Sequence, residues 1–168
     1  MKKGVVLLVV MMMCLGLCSC RVNFSEGKNN EIVFTEGIVI VENDFARVEL
    51  VNFYEEESYG EQLTSKYITL KVKNKSDRQF LFDLSDAYIG ENAVVSMMCD
   101  GNSGPLPGKA NTHTYIITKD DSNYTPIDSI EELYELEGVL EFTVLTEDGE
   151  YIEERVEEYF SLKNLNLK

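Results

Sequence analysis

Residues 67–74 read Tyr-Ile-Thr-Leu-Lys-Val-Lys-Asn, and apolar and polar side chains alternate there without a break. Successive side chains of a strand point to opposite faces, so Ile68, Leu70 and Val72 share one side and Thr69, Lys71 and Lys73 the other. A strand with one dry face and one wet face belongs to an antiparallel sheet packed on one side only. The same period returns at residues 45–53, where Ala46, Val48 and Leu50 oppose Arg47 and Glu49. It returns again at 79–84, with Phe80, Phe82 and Leu84 inward, and at 140–144. Further short β-branched or apolar runs lie at 32–34, 38–41, 87–89, 93–99 and 111–118, and residues 151–162 form a returning strand.

Turn chemistry separates these runs: Glu42-Asn43-Asp44, Asn74-Lys75-Ser76-Asp77, Gly90-Glu91-Asn92 and the hairpin signal Asp148-Gly149. Residues 55–62 and the breaker-rich stretch 100–108 read as loops. One short helix is expected. Asp128 or Ser129 would cap it, with Glu131 or Glu132 completing a capping box and Gly138 ending it. Strands spaced about 10–12 residues apart with a single helical crossover predict an all-β antiparallel sandwich over residues 32–163, with 164–168 as a tail.

The first twenty residues have a different origin. Lys2 and Lys3 precede an apolar run from residue 4 to 17, closed by Leu17-Cys18-Ser19-Cys20. That is the layout of a secretory signal, and its close resembles a bacterial lipobox. It predicts a signal peptide at 1–19, lipid on Cys20, a tether at 20–31 and a domain at the outer face of the cytoplasmic membrane, exposed outside the cell. Two acyl chains give stable anchoring. The rival readings are an uncleaved membrane helix and ordinary cleavage into a soluble protein.

Loss of Lys2 and Lys3 with the signal takes the net charge from −15 to −17. Such a surface repels nucleic acid, anionic polymers and anionic headgroups. With Cys14 and Cys18 removed and Cys20 acylated, Cys99 is left without a disulfide partner, and none is needed for a domain of this size.

Several side-chain constellations bear on chemistry. Cys99 and His113 are the one thiol–imidazole pair available after processing, but their order reverses the His-then-Cys order of surface cysteine transpeptidases. Cys99 reads more simply as a small buried hydrophobe and His113 as an exposed strand residue; a zinc site built on them lacks any paired motif. Asp83, Asp86 and Glu91, and separately Asp120 and Asp121, offer oxygen ligands for calcium without matching a calcium loop. Asn23, Asn74 and Asn123 match a glycosylation pattern that is idle in a bacterial lipoprotein. No phosphate loop, metal box or cofactor fingerprint appears, so no cofactor is expected. Tyr54 and Tyr59 flank Glu55-Glu56-Glu57, and Tyr124 occupies a loop; loop aromatics of this kind anchor partners.

Val72-Lys73-Asn74-Lys75-Ser76-Asp77, Pro107-Gly108-Lys109-Ala110-Asn111 and Ile127-Asp128-Ser129-Ile130-Glu131-Glu132-Leu133 resemble immunoglobulin-like domains of unknown function on small lipoproteins of Gram-positive bacteria. The resemblance spans residues 38–162. It implies an immunoglobulin-like sandwich and carries no activity or site residues with it. The chain lacks the Trp and inter-sheet disulfide of antibody domains. The expectation is a non-catalytic binding or interaction module that binds through loops 55–62 and 100–108 at one end of the sandwich. A carboxylate-dependent hydrolase and an adaptor for a membrane sensor or transporter are the alternatives.

Overall fold

Ile68, Leu70 and Val72 are fully buried, while Lys71 and Lys73 stand in solvent. That phase is repeated from strand to strand, and it organises the whole molecule. The computed structural model describes residues 30–57, 64–100, 104–119, 125–146 and 152–165. The readings made on residues 1–29, including Cys20 and the tether, and those on Tyr59, Asp120, Asp121, Asn123, Tyr124 and Asp148-Gly149 lie outside the described residues.

The chain is an all-β sandwich of two antiparallel sheets. The strands are β1 (Glu31–Glu42), β2 (Ala46–Glu57), β3 (Thr64–Asn74), β4 (Phe80–Ile89), β5 (Asn92–Ala93), β6 (Val95–Met98), β7 (Ala110–Thr118), β8 (Leu136–Leu145) and β9 (Ile152–Ser161). Sheet one runs β1-β2-β3-β7-β6 and sheet two β5-β4-β8-β9. The chain changes sheets at Val94, whose N–H donates to the Ala87 carbonyl at 2.9 Å. Ser96 Oγ then donates to the Leu84 carbonyl at 2.5 Å and joins the two sheet edges on that side.

Apolar faces meet in between. Phe80 packs on Phe45 at 4.8 Å and on Phe142 at 5.3 Å, and Phe82 lies 5.4 Å from Phe142. Leu50, Phe53, Ile68 and Ile117 close the core from the opposite sheet with no solvent exposure. Each fully buried side chain of this size contributes about 1.5–3 kcal/mol.

Three of the register irregularities among the described strands matter most here. Gly37, at φ +67°, lets the two short runs 32–34 and 38–41 form one bulged strand, which already starts at Glu31 opposite Tyr54. A second bulge between Leu50 and Asn52 inverts the phase of β2, so that Phe53 rather than Asn52 points inward. The third lies in β4, where Asp86 adopts φ 43° and the pairing with β8 skips from Ser85 to Tyr88.

The expected helix is corrected here. Residues Ile130–Glu135 form a 3-10 helix whose Ser129–Glu132 capping box is present, and β8 follows directly from Leu136. Gly138 does not end a helix. It lies buried in β8 opposite the β4 bulge, where a Cβ would come within 3.1 Å of the Ser85 carbonyl oxygen.

Asn74 holds the base of the sandwich. It is fully buried, and its Nδ2 donates to the carbonyls of Arg78 at 2.7 Å and Pro105 at 2.9 Å. Its Oδ1 accepts from Ser76 N at 2.9 Å and Ser76 Oγ at 2.8 Å. The glycosylation pattern at Asn74 is therefore closed to modification in the folded chain. Truncating this side chain strands the buried Pro105 carbonyl, while Ser76 Oγ still reaches the Arg78 carbonyl at 2.9 Å, so Asn74→Ala should cost about 1–3 kcal/mol in equilibrium urea unfolding. A loss under about 1 kcal/mol would show that the turn holds without it.

Candidate binding surface

The outer face of sheet one was expected to be wet throughout. Instead it is divided. Register aligns Tyr54 with Tyr67, Tyr67 with Ile116 and Ile116 with Met97, and residues directly opposite share a face. An aromatic and apolar row therefore crosses four strands. The Tyr54 and Tyr67 rings stack at 4.6 Å and 5°, both half-buried, and Met97 is 37% exposed. Partial burial pushes the Tyr54 hydroxyl up to about 12, with the Tyr67 hydroxyl the next contributor, and raises Tyr67 as well. Val33, 57% exposed, lies on the same face beside Asn52.

Four residues further along β3, past neutral Thr69 and Asn52, the chemistry changes to charge. Arg47 reaches Glu42 and Glu49 at 2.7 Å each, Lys71 reaches Glu49 at 3.4 Å, and Lys75 reaches Glu42 at 3.0 Å. Hydrogen bonds from Lys75 and Arg47 respectively are the leading reason that Glu42 and Glu49 titrate below the usual carboxylate range.

Tyr54 is the one expected partner-binding residue among those described, and it stands in this row. Tyr67, Ile116 and Met97 were missed. The signal was present, since Tyr67 begins the same wet face as Thr69, Lys71 and Lys73. The two loops expected to act together do not share an end. Glu57 pairs with Thr64 beside loop 58–63, whereas Asn74 N–H bonds the Lys109 carbonyl at the other end of β3, about 35 Å away. Moreover, Gly104 and Pro105 are buried, and a Cβ on Gly104 would overlap the Phe80 carbonyl. Gly104 and Pro105 are thus core structure, while Leu106, Pro107 and Gly108 are exposed.

Cys99 and His113 separate by strand phase. Val94 and Met98 turn toward the core, so Met97 and Cys99 turn outward, and Cys99 is exposed rather than buried. Partial desolvation of its sulfur, with Asp100 and Glu56 adding repulsion, nevertheless raises the thiol, the reverse of what a nucleophile needs. His113 shares the inward phase of Tyr115 and Ile117, so it is buried at 2% exposure rather than solvated. Its ring lies 5.4 Å from Phe82, and Asp100 Oδ1 stands 4.0 Å from Nδ1. Among the described residues neither ring nitrogen is hydrogen-bonded, and the Tyr115 hydroxyl beside it has no well-aligned partner.

A pocket of about 510 Å³ lies elsewhere, over buried Ile89, Val94 and Ile127, with Glu91, Lys119, Asp128 and Glu132 around it. Lys119 holds Asp128 at 2.7 Å and keeps its carboxyl below the usual range. Glu132 accepts the Ser129 N–H at 2.9 Å as its cap. Asp83 and Asp86 do not line this pocket with Glu91, and among the described residues no three His, Cys, Asp or Glu side chains converge to hold a metal ion. No protein-family model matches the chain, and no curated protein matches it.

Burial lowers the His113 pKa from 6.5, outweighing the raising effects of Asp100 and Asp83. The unfolded chain therefore binds the proton first as pH falls, and stability present above about pH 6.5 is lost on acidification. Between pH 7 and pH 5 the loss attributable to this ring should reach about 2 kcal/mol at most. Glu42 and Glu49, with depressed values, act only below about pH 4.5, and Asp83, raised by burial, acts with the opposite sign. Subtracting the profile of His113→Phe from that of the native chain isolates the ring. Superimposable profiles would contradict this account of His113.

Proposed function

We propose that this chain is a lipid-anchored surface lipoprotein with Cys20 as the acylated residue, and that its immunoglobulin-like sandwich is a non-catalytic binding module. Its binding surface is the outer face of sheet one. The observation that carries this reading is the row Tyr54–Tyr67–Ile116–Met97, an apolar band on a face that a solvated sheet would fill with charge. Tyrosines suit such a role because they bring large contact area at small rotamer cost.

The adaptor form of this reading has its own support. Asn30 bonds Glu55 through both backbone and side chain, so the chain enters the sandwich beside Tyr54. Asn30 lies ten residues after Cys20 in sequence, and a random coil of that length spans roughly 15–20 Å. The aromatic row thereby sits at the anchored end, within reach of a membrane-embedded partner. The hydrolase form has less support. Of the carboxylates around the 510 Å³ pocket, Asp128 is held charged by Lys119 and Glu132 is engaged as a cap, neither of which suits a general acid.

A photocrosslinking residue substituted at Tyr67, compared with one at Arg155 on the opposite sheet, tests the surface on intact cells. The reading expects a discrete adduct from position 67 and none from 155; equal labelling from both would overturn it. Cys20→Ala should lose partition into the detergent phase, and retention there would remove the lipid anchor.

A further inference from the structure

The outer face of sheet one carries charges of opposite sign on the two sides of Thr69. Two residues to one side of it on β3 is Tyr67, and two to the other side is Lys71, whose side chain is 51% exposed. On β2, Asn52 pairs with Thr69; Glu56 lies beyond Tyr54 on one side and Arg47 lies beyond Glu49 on the other. Lys73 pairs with Arg47 and is exposed. Among the described residues neither Glu56 nor Lys73 has an ion-pair or hydrogen-bond partner for its side chain. The face thus carries an unpaired anion at one end and an unpaired cation at the other, with aromatic surface between them and the centre on the acidic side.

We infer that this face pairs with a second copy of the chain through an isologous two-fold contact. The inference rests on the reading that this face is the binding surface. The axis lies in the interface and runs across the strands at the level of Thr69. Rotation about it turns one copy's strands head to tail over the other's, with the two sheets packed face to face. Glu56 of each copy then meets Lys73 of its partner, beside the partner's Arg47, which already bridges Glu42 and Glu49. Tyr67 meets the partner's Lys71, a cation over an aromatic ring. Thr69 and Asn52, short and neutral, lie at the centre where each strand crosses its own image. The opposite rotation, about an axis along the strands, would set Glu56 against the partner's acidic end and is disfavoured by the same charges.

Sedimentation equilibrium of the full chain in detergent tests this at low and high salt. The native chain should dimerise, more weakly at high salt. Glu56→Lys alone and Lys73→Glu alone should each weaken dimerisation by about tenfold, because every reversed contact occurs twice. The two together restore it, since Lys at 56 then meets Glu at 73 of the partner. Dimers indifferent to both reversals, or weakened further by their combination, would overturn the inference. A monomer at every concentration would also overturn it. If a monomeric chain still gave a discrete adduct from position 67 on cells, the binding reading would survive with another occupant; with no adduct, both would fall.

Discussion

Asn74 is the polar point on which the sandwich turns. Its side-chain amide bonds both Arg78 and Pro105 carbonyls and accepts twice from Ser76, where the chain passes from β3 of sheet one to β4 of sheet two. Those bonds tie the β3–β4 turn to the Pro105 carbonyl, while backbone bonds between Asn74 and both Gly108 and Lys109 set the start of β7. Three strands thereby receive their phase from one residue. A slip of one residue in any of them would exchange dry face for wet face along its whole length.

Phase explains most of what was legible in the sequence and most of what was not. The strands around Ile68, Leu70, Val72 and Phe80, Phe82, Leu84 could be read directly, because uninterrupted alternation leaves a single face to bury. The Phe53 position could not, because the bulge after Leu50 inserts a residue that no local pattern announces. The helix was misjudged at its end for a related reason. Gly138 looked like a stop signal, yet its missing side chain serves the close approach of the β4 bulge at Asp86, a contact 52 residues away in sequence. His113 was read from its polar neighbours, whereas the phase of Tyr115 and Ile117 decides where it points. On the candidate surface, Tyr54 was legible as an aromatic beside an acidic run; its stacking on Tyr67 depends on pairing between strands and is invisible in either strand alone.

Net charge also conceals an arrangement. A strongly acidic chain suggests a uniformly repulsive surface, but Arg47, Lys71, Lys73 and Lys75 gather on or beside one half of sheet one, partly neutralised by Glu42 and Glu49. The other half of the same face carries tyrosine, isoleucine and methionine, with Glu56 at its border. Exposed ion pairs of this kind add little stability. Their consequence is orientation, since an aromatic half and a charged half would fix the direction in which the proposed partner docks.

The account therefore stands on one claim, that the outer face of sheet one is covered when the chain is in its native setting. Tyrosine-selective footprinting on intact cells, followed by mass spectrometry, reads this within a single molecule. Tyr159, 63% exposed on the opposite sheet, should label equally on cells and in dilute purified chain, while Tyr54 and Tyr67 should be protected on cells and gain reactivity on dilution. Tyr54 and Tyr67 labelling to the same extent in both settings, with Tyr159 as the constant reference, would contradict it.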